Sequence, residues 1–301
     1  MNKLAYLIAL AIPAMVYAAN DTLPNLDVDE VKETSSSPTV HIDNVRGSIT
    51  IKSWDKNQVG VQGRLDDQTE KFVFEVKGNS VKIVVDSPSH PAEWDDRWGR
   101  SRGSNLTIYM PIKANIDAEG FSTDFKISAV TGEIEIETVS GDIEITGNRS
   151  RLDLETVNGD VVIEDHEGIV FAESVSGDID YNGFATRIEL ESVQGDIQVN
   201  NMGELAEGEF NSVSGDIDTK THTDKRPHLK YNAVSGDIDV SFLSVLSAKI
   251  EIETMSGDIT NDLTEDKPDR QRWMGNSLEF SVGDADGDIS ISTVSGNVNI
   301  K

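Results

Sequence analysis

The residues that could do chemistry in this chain fall into two sets. In unit after unit an aspartate follows a glycine, as Asp142, Asp160, Asp178, Asp196, Asp216, Asp237, Asp258 and Asp288. Hard carboxylate oxygens held at a fixed spacing would suit Ca2+. The competing role is local: each carboxylate accepts a hydrogen bond from turn amides and so caps a bend. Calcium-binding β-rolls use denser glycine in nonapeptide units that this chain lacks, so capping is the expected role and no metal is expected. The second set combines tryptophan with arginine. "SHPAEWDDRWGRSRG" holds Trp94, Arg97, Trp98, Arg100 and Arg102, and Arg270, Arg272 and Trp273 repeat the theme further on. Such side chains dominate interfaces, and indole faces stack on sugars, which makes these eight the candidate binding residues. The alternative is that the loops fold over an apolar flank, their arginines answering nearby carboxylates.

Beyond these sets the chemistry is thin. His41, His90, His166, His222 and His228 are scattered, without metal-ligand spacing. The sequence has no G-x-S-x-G, no phosphate-cradling glycine loop and no cysteine, so no cofactor and no catalytic residue are expected. Carboxylate pairs are too common for a glycosidase pair to be singled out.

What positions these residues is a repeat. Aligned on V-x-G-[DE]-[IV], the glycines are Gly132, Gly141, Gly159, Gly177, Gly195, Gly215, Gly236, Gly257, Gly287 and Gly296, at steps of 9, 18, 18, 18, 20, 21, 21, 30 and 9. A period near 18 with half-steps of 9 is a solenoid signature. Valines stand two residues before most of these glycines, from Val139 to Val294, and Ile or Val two residues after. Ile134, Ile136 and Thr138 alternate with polar residues, then Ile143 and Ile145 resume on the opposite parity. Each segment therefore predicts a strand with one buried face, and the chain must bend at Ser140-Gly141, where glycine tolerates positive φ. The column before the bend is small (Thr138, Thr156, Ser174, Ser192), because a corner has little room.

The fold expected is all-β, a parallel β-solenoid with coils of about 18–21 residues. Two-residue turns at Ser-Gly would instead give an antiparallel β-meander. A glycine repeated at one place in every unit favours stacking, because like residues then fill the same slice of core. "VHIDNVRGSITI" around Gly47 predicts a first coil near residue 40, and "KFVFEVKGNSVKIVVDS" a hairpin at Gly78-Asn79. "HTDKRPH" at 222–228 and "NDLTEDKPDRQRWMGNS" at 261–277 are expected to be loops pushed out of the stack. The last unit stops within its strand at Lys301, predicting an unpaired edge open to a second copy or a partner strand.

Residues 1–18 read as a signal peptide, with Lys3, an apolar stretch and "VYA" ending at Ala18. Residues 19–125 then form irregular coils and a cap, and 126–301 the regular repeats. Without cysteine there is no lipid anchor and no disulfide. Formal net charge is −28, with 36 Asp and Glu against 13 Lys and Arg after residue 125, which disfavours nucleic acid and anionic membrane as partners.

The leader, "NVRGSITIKSWDKNQVGV" and the run of V-[ST]-G-[DE]-I units together resemble a bacterial exported family of β-strand-repeat adhesins, a domain of unknown function. The resemblance implies a right-handed parallel β-helix, and "adhesin" is its label rather than a demonstrated activity. It brings no catalytic residues. The reading is a non-enzymatic exported scaffold or binding module of the cell envelope, periplasmic or at the surface, taking an envelope protein or glycan. The alternatives are a polysaccharide-acting enzyme on a β-helix and a self-assembling envelope protein.

Overall fold

Among the described residues, alternating β-branched and polar side chains build 21 strands joined in one hydrogen-bonded sheet that winds into a parallel β-helix. The computed structural model describes residues 26–87, 102–271 and 275–301. The expected leader lies outside them. Each coil supplies two strand segments separated by the Ser-Gly corner. In β8 (Ile134–Ser140) and β9 (Ile143–Thr146), Ile134, Ile136 and Thr138 face inward before the corner, and Ile143 and Ile145 after it. The parity change seen in the sequence is therefore the corner itself.

β10 (Arg151–Asn158) lies parallel to β8, with Leu152 beside Ile134 and Leu154 beside Ile136. β11 (Val161–Ser176), β12 (Ile179–Gln194), β13 (Ile197–Ser214) and β14 (Ile217–Ser235) continue the stack, and each closes one coil and opens the next. Like lies on like: Val161, Ile179, Ile197 and Ile217 form one fully buried column. All these pairings are parallel, which excludes the antiparallel meander.

The repeated glycine has a different cause from the positive φ expected of it. Gly141 alone in that series has positive φ, at 155°. A Cβ on Gly159 would lie 2.0 Å from the Gly141 carbonyl oxygen, one on Gly177 2.0 Å from that of Gly159, and one on Gly195 2.1 Å from that of Gly177. Successive coils touch backbone to backbone here, so the absent side chain is what the stack requires. The buried hydroxyl column uses the same carbonyls, Thr156 donating to Gly141 and Ser174 to Gly159 at 3.3 Å. Gly132 and Gly287 belong to the opposite corner, where their Cβ positions meet Ala114 and Pro227. The half-steps of 9 are thus the two corners of one coil.

At both ends, layer order departs from chain order. β2 (Thr39–Trp54), the first coil, lies between β7 (Asn115–Ser128) on one side and β5 (Ser80–Asp86) with β6 (Ser104–Pro111) on the other. β5 forms the expected hairpin with β4 (Lys71–Lys77), and β3 (Gln58–Arg64) and β1 (Asp27–Glu33) cover β6 antiparallel. A buried ion pair, Arg46 with Asp66, fastens this cap. β7 passes straight through residue 125, where the irregular and regular parts were expected to divide.

The last strands are also tucked inside. β20 (Gly287–Ser295) is paired by β14 on one side and β16 (Ala248–Ser256) on the other. β21 (Val298–Ile300) lies between β15 (Ile238–Phe242) and β17 (Ile259–Asn261). The unpaired edge expected at Lys301, and self-association through it, are therefore corrected: the C-terminal strand is an interior layer. The outermost coil is β16 with β17, covered antiparallel by β19 (Gly275–Val282) and then β18 (Asp269–Gln271). The 261–277 stretch thus holds cap strands rather than an expelled loop. Residues 222–228 stay within β14 as a widened corner, with Thr223 and Pro227 buried.

Candidate functional site

The corner aspartates form a ladder. Asp142 Oδ1 accepts the amide of Asp160 at 3.0 Å, Asp160 that of Asp178 at 3.0 Å, and Asp178 that of Asp196 at 2.8 Å. The ladder continues through Asp216 and Asp237 to Asn297, whose Oδ1 accepts the amide of Asp258. Each carboxylate caps the next coil's turn. Asp288 stands apart on the opposite corner's strand, 3.7 Å from His228.

The outer face of the long strands is richer. Pairing register lines up Asp117, Glu135, Asp153, Phe171, Glu189, Glu209, Lys230, Ser290 and Glu251 in one column. Phe171 interrupts the acids, and two guanidinium groups cover its ring: Arg151 at 4.0 Å and Arg187 at 5.3 Å from the centroid. Arg151 also pairs with Asp153 at 2.6 Å, and Arg187 with Glu207 at 3.0 Å. From Arg187 an open groove of about 410 Å3 runs past Glu207, His228, Asp288 and Lys249. The small Ser290, between Lys230 and Glu251, leaves room in its floor. Lys249 bonds Glu279 at 2.7 Å, and that hydrogen bond with its charge raises the lysine pKa. The whole forms a rigid strip of fork-shaped cations, carboxylates and one aromatic face, suited to binding a polar ligand.

The next outward column is Glu119, Glu137, Glu155, Glu173 and Glu191. Among the described residues none of these five has a cation in ion-pair range. Partial desolvation, then repulsion from neighbouring carboxylates, raises the pKa of Glu137, Glu155 and Glu173. Between their ordinary value of 4.5 and the raised folded value, the folded chain holds more protons than the unfolded one. Stability conferred by this column therefore falls as pH rises through that window. Buried His166 acts oppositely and nearer neutrality: desolvation lowers its pKa from 6.5, so its contribution is lost as pH falls below that value. Replacing Glu155 and Glu173 together with Gln is expected to raise stability at neutral pH by about 1 kcal/mol in low salt, since like charges at ~4.8 Å repel by about that much in water. The gain should shrink in about 0.5 M salt. Melting curves over pH and salt check this; a drop in melting temperature would contradict it.

Of the candidate binding residues, Trp94, Arg97, Trp98, Arg100, Arg272 and Trp273 lie outside the described residues. Arg102 is exposed beside Asp67, its amide 3.4 Å from that carboxylate, and the backbone of Arg270 lies in β18. Trp54, the remaining tryptophan, packs structurally: it stacks on Tyr109 at 5.4 Å and donates to the Gln58 carbonyl at 2.7 Å. Among the described residues the histidines are not brought together. His41 pairs with Asp117 at 2.7 Å, while His166 is buried against the Ser150 carbonyl and Tyr181. Sequence reasoning passed over Phe171 with Arg151 and Arg187. The signal was present in the 18-residue register, where one aromatic stands in an otherwise acidic column between two arginines.

Fold and face together define a parallel β-helix with an elaborated outer surface. The chain belongs to the Toastrack DUF4097 family, whose sequence profile matches residues 37–301. Solved structures that match the chain include a candidate cell adhesion protein from Clostridium sporogenes, at 10% identity and TM-score 0.22, covering 91% of this chain and 99% of that one. A candidate lipid-binding protein from Parabacteroides distasonis matches at 15% identity and TM-score 0.48, covering 92% and 97%. A candidate adhesin from Bacteroides fragilis matches at 14% and 0.42, covering 91% and 97%. No curated protein matches the sequence. No helix among the described residues is long and apolar enough to cross a membrane.

Proposed function

We propose that this protein is a non-enzymatic, exported binding module of the cell envelope, periplasmic or at the surface, and that its ligand is a glycan or a polar segment of an envelope protein. The observation that carries this reading is the Arg151–Phe171–Arg187 stack opening into the groove of Glu207, His228 and Lys249. An aromatic face beside hydrogen-bonding charges, all on stacked strands that need little ordering on binding, is the chemistry a hydroxyl-rich ligand meets well. The tryptophans and arginines at 94–102 and 270–273 are proposed to extend the same recognition.

A glycan array probed with the mature protein tests this. The parent is expected to bind a defined set of oligosaccharides, and Phe171→Thr to lose at least tenfold in affinity, about 1.4 kcal/mol, with its melt little changed because the ring lies on the outer face. Trp94→Ala with Trp98→Ala should likewise weaken binding without a collapsed melt. An array with no hits removes the glycan reading, and cleavage of a bound oligosaccharide removes the non-enzymatic one.

A further inference from the structure

From Val139 onward, the valines two residues before the Ser-Gly-type corner glycines lie on the outer face, not in the core. Thr156 pairs with Thr138 and Asn158 with Ser140, which sets Val157 beside Val139. The same register carries the row through Val175, Val193, Val213 and Val234 to Val294. None of these is buried; Val234 is 49% exposed and Val294 45%. Met255 ends the row at 69%. An apolar stripe this continuous, one residue per coil, is uncommon on a monomer surface and marks a contact. β-branched residues do favour strands, but threonine would serve that need equally and stay solvated.

The neighbouring column decides the occupant. Two residues before the valines, on the same face, stand Glu137, Glu155, Glu173 and Glu191, without cations in range among the described residues. A second copy of a chain with net charge −28 would bring carboxylates against carboxylates, and an anionic membrane would be repelled as well. The partner must be apolar along one line and cationic along the next. The coil repeat of about 4.8 Å separates the candidate shapes. A helix lying along the stack offers a residue on one line every three or four positions, at roughly 4.5–6 Å, whereas alternate residues of an extended strand fall roughly 6.6 Å apart. Only the helix keeps step over four or five coils.

We propose that the stripe from Val139 to Val213, with the glutamate column beside it, docks a cationic amphipathic α-helix, laid parallel to the solenoid axis, its apolar line on the valines and its Lys or Arg line on Glu137, Glu155, Glu173 and Glu191. This rests on the reading of the protein as a binding module but not on the glycan, so an empty glycan array leaves it standing.

The test uses the full mature chain and three synthetic peptides: a Leu/Lys amphipathic helix of about 18 residues, long enough for five coils, its scrambled isomer, and oligolysine of equal charge. Calorimetry should show the amphipathic helix binding at least tenfold more tightly than either control. Val175→Thr with Val193→Thr and Val213→Thr should remove that preference while leaving oligolysine binding unchanged. Glu155→Gln with Glu173→Gln should weaken both cationic peptides. Asp180→Asn, on the face beyond the Gly177 corner, should change neither. Circular dichroism confirms that each variant folds, and single Val193→Thr serves if the triple variant does not. Equal binding of all three peptides, or a preference that survives the threonine variants, overturns the proposal.

Discussion

Gly195→Ala should cost this protein roughly 3 kcal/mol or more of stability, in the range reached when a side chain is forced into occupied space. The new Cβ would sit 2.1 Å from the Gly177 oxygen and 2.6 Å from its carbonyl carbon. Neither is the end of a flexible side chain, so the backbone itself must move. It is held on both sides of the contact, Ile179 donating to the Asp196 carbonyl at 2.9 Å and the Asp196 amide bonding the Asp178 carboxylate at 2.8 Å. Widening one layer breaks that ladder, and the strain spreads to the coils above and below. Gly78→Ala is the matched control: its φ is +62° with nothing within 4 Å of the added carbon, so only backbone strain of about 1–2 kcal/mol applies. Thermal melts should rank the two variants in that order. If Gly195→Ala melts within a few degrees of the parent and above Gly78→Ala, close stacking is not why the glycine recurs.

Removing residues 287–301 should do far more than shorten the stack. Where chain order equals layer order, trimming the last coil costs one interface. Here it empties a layer between β14–β15 and β16–β17, leaving both without partners on that side. Ile289, Ile291, Val298 and Ile300 are all at most 3% exposed, so the gross loss is roughly 6–12 kcal/mol of apolar burial at about 1.5–3 kcal/mol each. The expected result is a chain whose coils before about residue 220 persist while 238–286 become susceptible to protease. Limited proteolysis with mass spectrometry reads this directly. Parent-like protection of β16 and β19 in the truncated chain would show that the layer is dispensable.

Much of the architecture was legible in the residues because a stack repeats its errors and its rules alike. Ile134, Ile136 and Thr138 against Ile143 and Ile145 announced the corner, and the recurrence of Gly159, Gly177 and Gly195 at one site announced like-on-like stacking. Which strand sits beside which at the ends was not legible. β20 has the same local pattern as any coil, and nothing in "ISTVSGNVNIK" says that it enters between 228–242 and 248–261. That is decided by long-range pairing, which no short period encodes. The role of glycine was misassigned for a related reason, since φ is a property of one residue whereas the actual constraint is the carbonyl of another coil. The valine column was noted only for its spacing, and its parity relative to Thr156 places it outside the core. Phe171 was hidden by attention to tryptophan.

The tucked layers also bear on how such a chain can change length over generations. Copying the final unit at the tail would supply a strand with no free edge to join, because both neighbours of β20 are already taken. Gain or loss of one turn is tolerated only in the central run, where every rung meets its own kind and the register can shift by a whole rung. Size variation among relatives of this fold is therefore expected in the middle, with the two locked extremities kept as they are.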